Sequence, residues 1–214
     1  MWATASPSRT GEKTNKNYID SRRCMHYGQL MIIESTQAYT HFIGLDNGCS
    51  SNGVALFVND LVRYEKLPIK KERNYQKEEH NLTRIDVPGF RSLLTSWNLP
   101  SKETIIVMER PGVNPARFNA SLSAVRCLEA ELIVIEEFGF ETSFIDSRVW
   151  QRALLPGVEG SVELKKASLA LGQQMFPQFK IKKDADSLLI GYYWKNKASL
   201  DLPKPKPPKI KKSL

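Results

Sequence analysis

No apolar run in the chain approaches the ~18 residues needed to cross a bilayer, and no hydrophobic segment behind a basic lead marks a secretory leader. Cysteine is scarce. Cys24, Cys49 and Cys127 are widely spaced, form no CxxC pair and supply no disulfide framework, which points to a reducing compartment and away from structural zinc. Histidine is equally rare: His26, His41 and His80 lack metal-site spacing, His41 reading as a strand residue and the other two as surface. No nucleophilic triad and no internal repeat are visible. Membrane, disulfide-scaffold, zinc-finger and triad-hydrolase classes are thereby set aside. The 214 residues suit one domain with tails.

Acidic charge is also in deficit, 23 Asp+Glu against 31 Lys+Arg, with a pI near 9.4. The excess is unevenly placed. Residues 195–214 hold seven lysines and one acid, residues 1–40 five basic and three acidic residues, and residues 41–194 nineteen of each. Basicity is appended to a neutral core. The tail alternates Lys with Pro, which blocks helix and sheet, so residues 199–214 are expected to form an extended, solvated arm able to follow phosphates. Residues 1–38 are polar without an apolar period and are expected to be disordered. Met31 stands before the first apolar segment and is a candidate natural start. Arg and Ser near the N-terminus would suit an organellar leader, against which Glu12 and Asp20 argue. The expected location is the cytoplasm (nucleoid-associated, or that of a phage-infected host), with organellar targeting left open.

Between these ends, HFIGLDNG, VALFVN and LVRYEKL read as three short strands joined by tight turns, an antiparallel meander. Residues 68–83 are charged without a hydrophobic period and read as a loop. Val87–Trp97 carries Phe90, Leu93, Leu94 and Trp97 on one helical face. TIIVM is a β-branched run suited to a strand buried on both sides. Asn114–Pro115 is an N-cap and first-turn pair opening a helix to Gly139, striped by Phe118, Leu122, Val125 and Leu132. ETSFID is a further strand. Helices follow at Val149–Leu155, at Val162–Phe176 with Ser161 as cap, and from about Asp184 to Asn196. Trp97, Trp150 and Trp194 read as core anchors, as does Cys127. The expected fold class is α/β, with a mixed sheet flanked by helices.

Most acids fall in loops or on solvated helix faces. Asp46 instead ends an apolar strand, Glu109 ends TIIVM, and Asp184 and Asp186 open the apolar helix SLLIGYYW. An acid beside a hydrophobic strand is costly unless paired or bound to a cation, whereas acids in a first helical turn are commonplace. Brought together at adjacent strand ends and a helix start, such carboxylates repel one another unless hard divalent ions such as Mg²⁺ or Mn²⁺ neutralise them. Two such ions suit phosphodiester hydrolysis without a nucleophilic side chain.

The runs FIGLDNGCSSNGVALF, IIVMERPGVNPARFNASLSAVRCLEAELIVIEEFGFETSFIDSRVWQRAL and KIKKDADSLLIGYYW, in that order, resemble the RuvC-type Holliday-junction resolvases of the ribonuclease H-like superfamily, particularly phage-type members. The likeness covers about residues 40–195, within a nuclease domain set at 39–198. It implies a ribonuclease H-like fold with a mixed five-stranded sheet, and a homodimer whose two sites nick four-way DNA junctions symmetrically, leaving 5′-phosphate and 3′-hydroxyl ends. It also implies two Mg²⁺ ions per active site, for which Mn²⁺ can substitute, with Asp46 between them and Glu109 and Asp186 as further ligands. The family's fourth carboxylate falls on Lys183 here, with Asp184 one residue away. No membrane and no small-molecule cofactor are implied.

Because the core is neutral and the site acidic, DNA must be gripped from elsewhere. Arg110, Asn114 and Arg117 flank the Glu109 strand; Lys165, Lys166, Lys180, Lys182 and Lys183 precede the last helix; Lys70 and Lys71 begin a basic stretch running to Lys77. Each also has an ordinary reading as solvated charge or, for Asn114, as a cap. The Phe118–Leu122–Val125 stripe reads as core or, by the resemblance, as part of a dimer surface. Two alternatives stay open: a ribonuclease H-like nuclease acting on hybrids or flaps, and a catalytically weak junction-binding protein, the latter motivated by Lys183. An actin-like ATPase is disfavoured by the absence of a second Asp-Gly phosphate motif and by the short chain.

Overall fold

The computed structural model describes residues 39–48, 53–73, 81–112 and 114–200. The N-terminal segment 1–38 and residues 201–214, along with His26, Cys24, Cys49, Lys77 and His80, lie outside them; Ser199 and Leu200, placed above in the extended arm, instead turn back and both donate their backbone N–H to the Asn196 carbonyl. The described residues form seven strands and five α-helices: β1 (His41–Leu45), β2 (Gly53–Val58), β3 (Leu61–Lys66), β4 (Ile69–Arg73), β5 (Asn81–Ile85), α1 (Val87–Trp97), β6 (Thr104–Glu109), α2 (Phe118–Phe138), β7 (Glu141–Ile145), α3 (Ser147–Leu154), α4 (Ser161–Met175) and α5 (Asp186–Asn196).

Five strands make one mixed sheet in the order β3-β2-β1-β6-β7. The meander β1–β2–β3 is antiparallel, while β6 and β7 run parallel to β1. Continuous apolar runs put β2 and β6 in the interior, and β3 alternates exposed and half-buried positions as an edge strand does. One face of the sheet, with Ile43, Leu45, Leu56, Ile106 and Met108, packs on α1 and α2 through Phe90, Leu94, Trp97, Val134 and Ile135. The other, with Ala55, Phe57, Ile105 and Val107, packs on α3 and α5 through Trp150, Leu188 and Leu189. Cys127 and Trp97 join the first core and Trp150 the second, as their sequence context predicts. Trp194 packs at the margin of the second, with Lys197 over its ring.

Three further expectations need correction. Within the stretch read as a loop, residues 69–73 and 81–83 are strand instead: β4 and β5 pair antiparallel from Ile69↔Ile85 to Arg73↔Asn81. Lys70 and Arg84 flank Glu72 at 2.5 and 2.7 Å, so charges of both signs stand where a strand pattern would show apolar residues. Only Ile85, at the hairpin's base, is buried in the core. The α2 stripe is not core either, since Phe118, Leu122 and Val125 are 67%, 38% and 43% exposed. Ser161 opens α4 rather than capping it; Gly160 precedes it at φ 89°, a conformation that suits glycine.

One close approach positions the site. A Cβ added at Gly44 would overlap the Ser187 carbonyl and the Gly191 nitrogen, and one at Gly191 would overlap the Phe57 ring. Glycine at both points lets α5 lie directly on β1 and β2. The first turn of α5 is thereby brought beside the end of β1.

Candidate metal centre

Parallel pairing aligns the strand ends. Leu45 pairs with Met108 and Glu109 with Ile145, so Asp46 and Glu109 leave neighbouring strands at the same edge of the sheet. The outside of the carboxyl ends of parallel strands is the usual place for a site in α/β folds. The start of α5 closes over it. Asp46, Asp184 and Asp186 each offer a carboxylate oxygen, all within 4.8 Å of one another.

Asp184 reaches the cluster because α5 begins at Asp186. The preceding segment is not helical, and Asp184 Oδ1 accepts the Asp186 backbone N–H at 2.7 Å, an aspartate turn that aims its carboxylate at the helix start. Lys183, where the sequence resemblance would place an acid, is exposed. Glu109 lies outside the three-carboxylate group but within its field. Its Oε2 accepts the Trp150 indole N–H at 3.2 Å.

The electrostatics are those of a site built for positive charge. Burial, then Asp184, Asp186 and Glu109, push the Asp46 carboxyl well above the usual carboxylate range, against the pull of Lys165. Burial and Asp184 raise Asp186 to about 6, opposed by Ser168 and Lys165. Burial raises Glu109 to about 7, with the Trp150 hydrogen bond opposing and Asp186, Asp184 and Asp146 adding. Asp184 is raised by burial, against the Asp186 N–H and Lys165. Acids that resist ionisation when crowded favour a divalent cation, which removes both the desolvation and the repulsion. The donor set is all oxygen, which fits Mg²⁺ or Mn²⁺.

The remaining candidates fall into two groups. Lys165, on α4, is the lysine whose charge acts on Asp46, Asp184 and Asp186. The others stand further out. Lys71, Arg117, Lys166, Lys180, Lys182 and Lys183 are exposed, and Lys70 is engaged by Glu72. Arg110 donates its backbone N–H to Ile145 and lies 3.5 Å from the Asp146 carboxylate, both side chains more than half exposed. The Asn114 side chain accepts the Ala116 N–H at 2.9 Å, capping a 3₁₀ turn that leads into α2. Structure also adds residues that the sequence did not single out. Ser168 donates to Asp186, and Glu131 is a fully buried carboxyl on α2 with both oxygens lacking a hydrogen-bond partner. Burial and then Asp46 hold Glu131 well above the ordinary range.

No family model matches the chain, and no curated protein does. Solved structures do. Thermus thermophilus RuvC in complex with a Holliday junction substrate superposes with a TM-score of 0.50 at 12% identity, over 77% of this chain and all of that one. The fold is that of RuvC. A second T. thermophilus RuvC structure covers 76% of this chain and 99% of its own at 11% identity, TM-score 0.45. A fowlpox virus resolvase with Holliday junction DNA covers 73% and 99% at 11% identity, TM-score 0.38. The RuvC-type, ribonuclease H-like architecture expected from the ordered motifs is therefore present, mixed five-stranded sheet included. Among the described residues, no helix is long and apolar enough to cross a membrane.

Proposed function

We propose that this chain is a metal-dependent endonuclease that resolves four-way DNA junctions by paired symmetric nicks. The observation that carries the reading is the convergence of Asp46, Asp184 and Asp186 within 4.8 Å beside Glu109, on a RuvC-type sheet. Asp46, placed between β1 and α5, would be shared by two Mg²⁺ ions, with Asp184, Asp186 and Glu109 completing the oxygen set and Mn²⁺ able to substitute. Ions so held supply an activated water and charge stabilisation on the departing 3′-oxygen. The protein's own part is positional: the strand ends and α5 fix the carboxylates, and Lys165 tempers their repulsion. A RuvC of the same fold was solved with junction DNA, which supports branched DNA as substrate. Arg110, Arg117, Lys71, Lys166, Lys182 and Lys183 are proposed to contact its phosphates, with Asn114 shaping the Arg117 turn.

Two symmetric nicks need two sites related by a twofold, hence a homodimer. Phe118, Leu122 and Val125 repeat at i, i+4 and i+7 along α2 and give one exposed apolar stripe, which a second copy would cover. Phe118→Glu is expected to shift the sedimenting species from dimer to monomer and to convert paired nicks into single ones. An unchanged dimer would remove α2 from the interface.

The reading is tested with labelled four-way junction, linear duplex and RNA–DNA hybrid, each incubated with Mg²⁺. Paired symmetric junction nicks are expected. Preferential cutting of hybrid would favour a ribonuclease H-like activity. Tight junction binding without cutting at any Mg²⁺ or Mn²⁺ concentration would leave only a binding protein, a reading that the reach of Asp184 into the cluster disfavours.

A further inference from the structure

A carboxylate free to choose its rotamer would swing away from like-charged neighbours, so two of the clustered acids need something to hold them. Two helices outside the cluster supply it. Trp150, fully buried on α3, donates its indole N–H to Glu109 Oε2 at 3.2 Å. Ser168, 3% exposed on α4, donates its hydroxyl to Asp186 Oδ1. An indole N–H donates and cannot accept, so it favours the ionised carboxylate and cannot itself become a ligand. Each bond occupies one carboxylate oxygen and leaves the other for a cation. Asp184 is held in the same manner by the Asp186 backbone N–H.

Packing alone does not require these donors. Trp150 fills its pocket among Ile145, Leu155 and Leu188 with its ring, and phenylalanine would fill most of that space. The indole N–H, directed at Glu109, is what phenylalanine would lack. A serine buried in the interior of α4 has poor helix propensity and no apolar area to contribute, yet its hydroxyl meets Asp186. We infer that Trp150 and Ser168 are positioning residues, each fixing one metal-binding carboxylate, Glu109 and Asp186 respectively, from a separate helix. The inference rests on the metal-site reading above and concerns residues to which the ordered motifs assign no role toward the metal.

Donors behind metal-binding groups typically alter affinity by about 10- to 100-fold when removed. The test uses the full chain and follows Mn²⁺ binding by electron paramagnetic resonance, with single-turnover junction cutting and thermal melting alongside. Trp150→Phe and Ser168→Ala are expected to weaken Mn²⁺ about tenfold and to slow cutting in step. Ser168→Thr, which keeps the hydroxyl, should return to within about twofold of the parent. Parental Mn²⁺ affinity in both Trp150→Phe and Ser168→Ala would overturn the inference, as would a Ser168→Thr protein as impaired as Ser168→Ala. Should Trp150→Phe melt before it can be titrated, the Ser168 pair decides. A parent that binds Mn²⁺ without cutting any junction would overturn the nuclease reading, and the affinities would still judge the positioning roles.

Discussion

Asp46→Asn is expected to abolish junction cutting, by about 1,000-fold or more, while leaving junction affinity within about twofold. Asparagine keeps the shape of the side chain and removes the charge that two ions would share. Phosphate contacts are proposed to come from other residues, so binding and cutting should separate cleanly. The same change has a second, opposite effect. Asp46 is a half-buried acid pressed by three others, so neutralising it relieves repulsion and the metal-free protein should melt no lower than the parent. Mg²⁺ should then raise the melting temperature of the parent but not of Asp46→Asn. A catalytic loss accompanied by a lower melting temperature would instead describe a structural aspartate. Asp184→Asn is the companion variant. Its carboxylate lies within the cluster although the residue is one place away from the position the sequence resemblance points to, so a loss of comparable size is expected. Unchanged cutting would take Asp184 out of the site.

Much of this arrangement was legible in the chain because it rests on local pattern. β1, β2, β6 and β7 announce themselves as short apolar or β-branched runs, α1 as a 3.6-residue stripe, and α2 by Asn114–Pro115 at one end and Gly139, at φ 65°, at the other. Asp46, Glu109 and Asp186 stood out because the first two close apolar strands and the third opens an apolar helix. What stayed hidden depends on contacts made across the fold. The β4–β5 hairpin carries ion pairs of Lys70 and Arg84 with Glu72 in place of an apolar face, so no alternation of hydrophobicity marks it. Phe118, Leu122 and Val125 have a helical period that suits a buried face and an interface equally, and only exposure separates the two. The displaced Asp184 is rescued by a backbone turn that no residue spacing reveals. The Trp150–Glu109 and Ser168–Asp186 bonds join residues 41 and 18 apart on different elements, so sequence presents one as a core aromatic and the other as a helix serine.

Glu131 was the least visible, one glutamate among four in α2, and it enters the other large effect expected, a stability that falls as pH rises. Each crowded carboxyl has its folded-state pKa above the unfolded one: Glu109 at about 7 against 4.5, Asp186 at about 6 against 3.8, and Asp46 and Glu131 also displaced upward. The folded protein therefore binds more protons than the unfolded chain once pH exceeds the unfolded values near 4, and stability declines as pH climbs through the folded ones. By pH 8 the displacement of Glu109 alone corresponds to about 3 kcal/mol, and in a domain of this size each kcal/mol moves the midpoint by about 2–4 °C. The metal-free protein is thus expected to melt roughly 10 °C lower at pH 8 than at pH 5. Added Mg²⁺ competes with those protons for the cluster, so its stabilisation should be large at pH 8 and small at pH 5. Glu131 provides the internal control. It sits on the opposite face of the sheet from α5 and is linked to the cluster through the charge of Asp46. It is not among the three clustered aspartates, so Glu131→Gln removes its share of the pH dependence and keeps every proposed ligand in place. That variant should melt higher than the parent at pH 8 with or without Mg²⁺, and keep the parent's Mg²⁺ increment. A midpoint flat from pH 5 to 8 in metal-free protein would mean that the four acids are not crowded as described, and the site would lose its electrostatic case for a divalent ion.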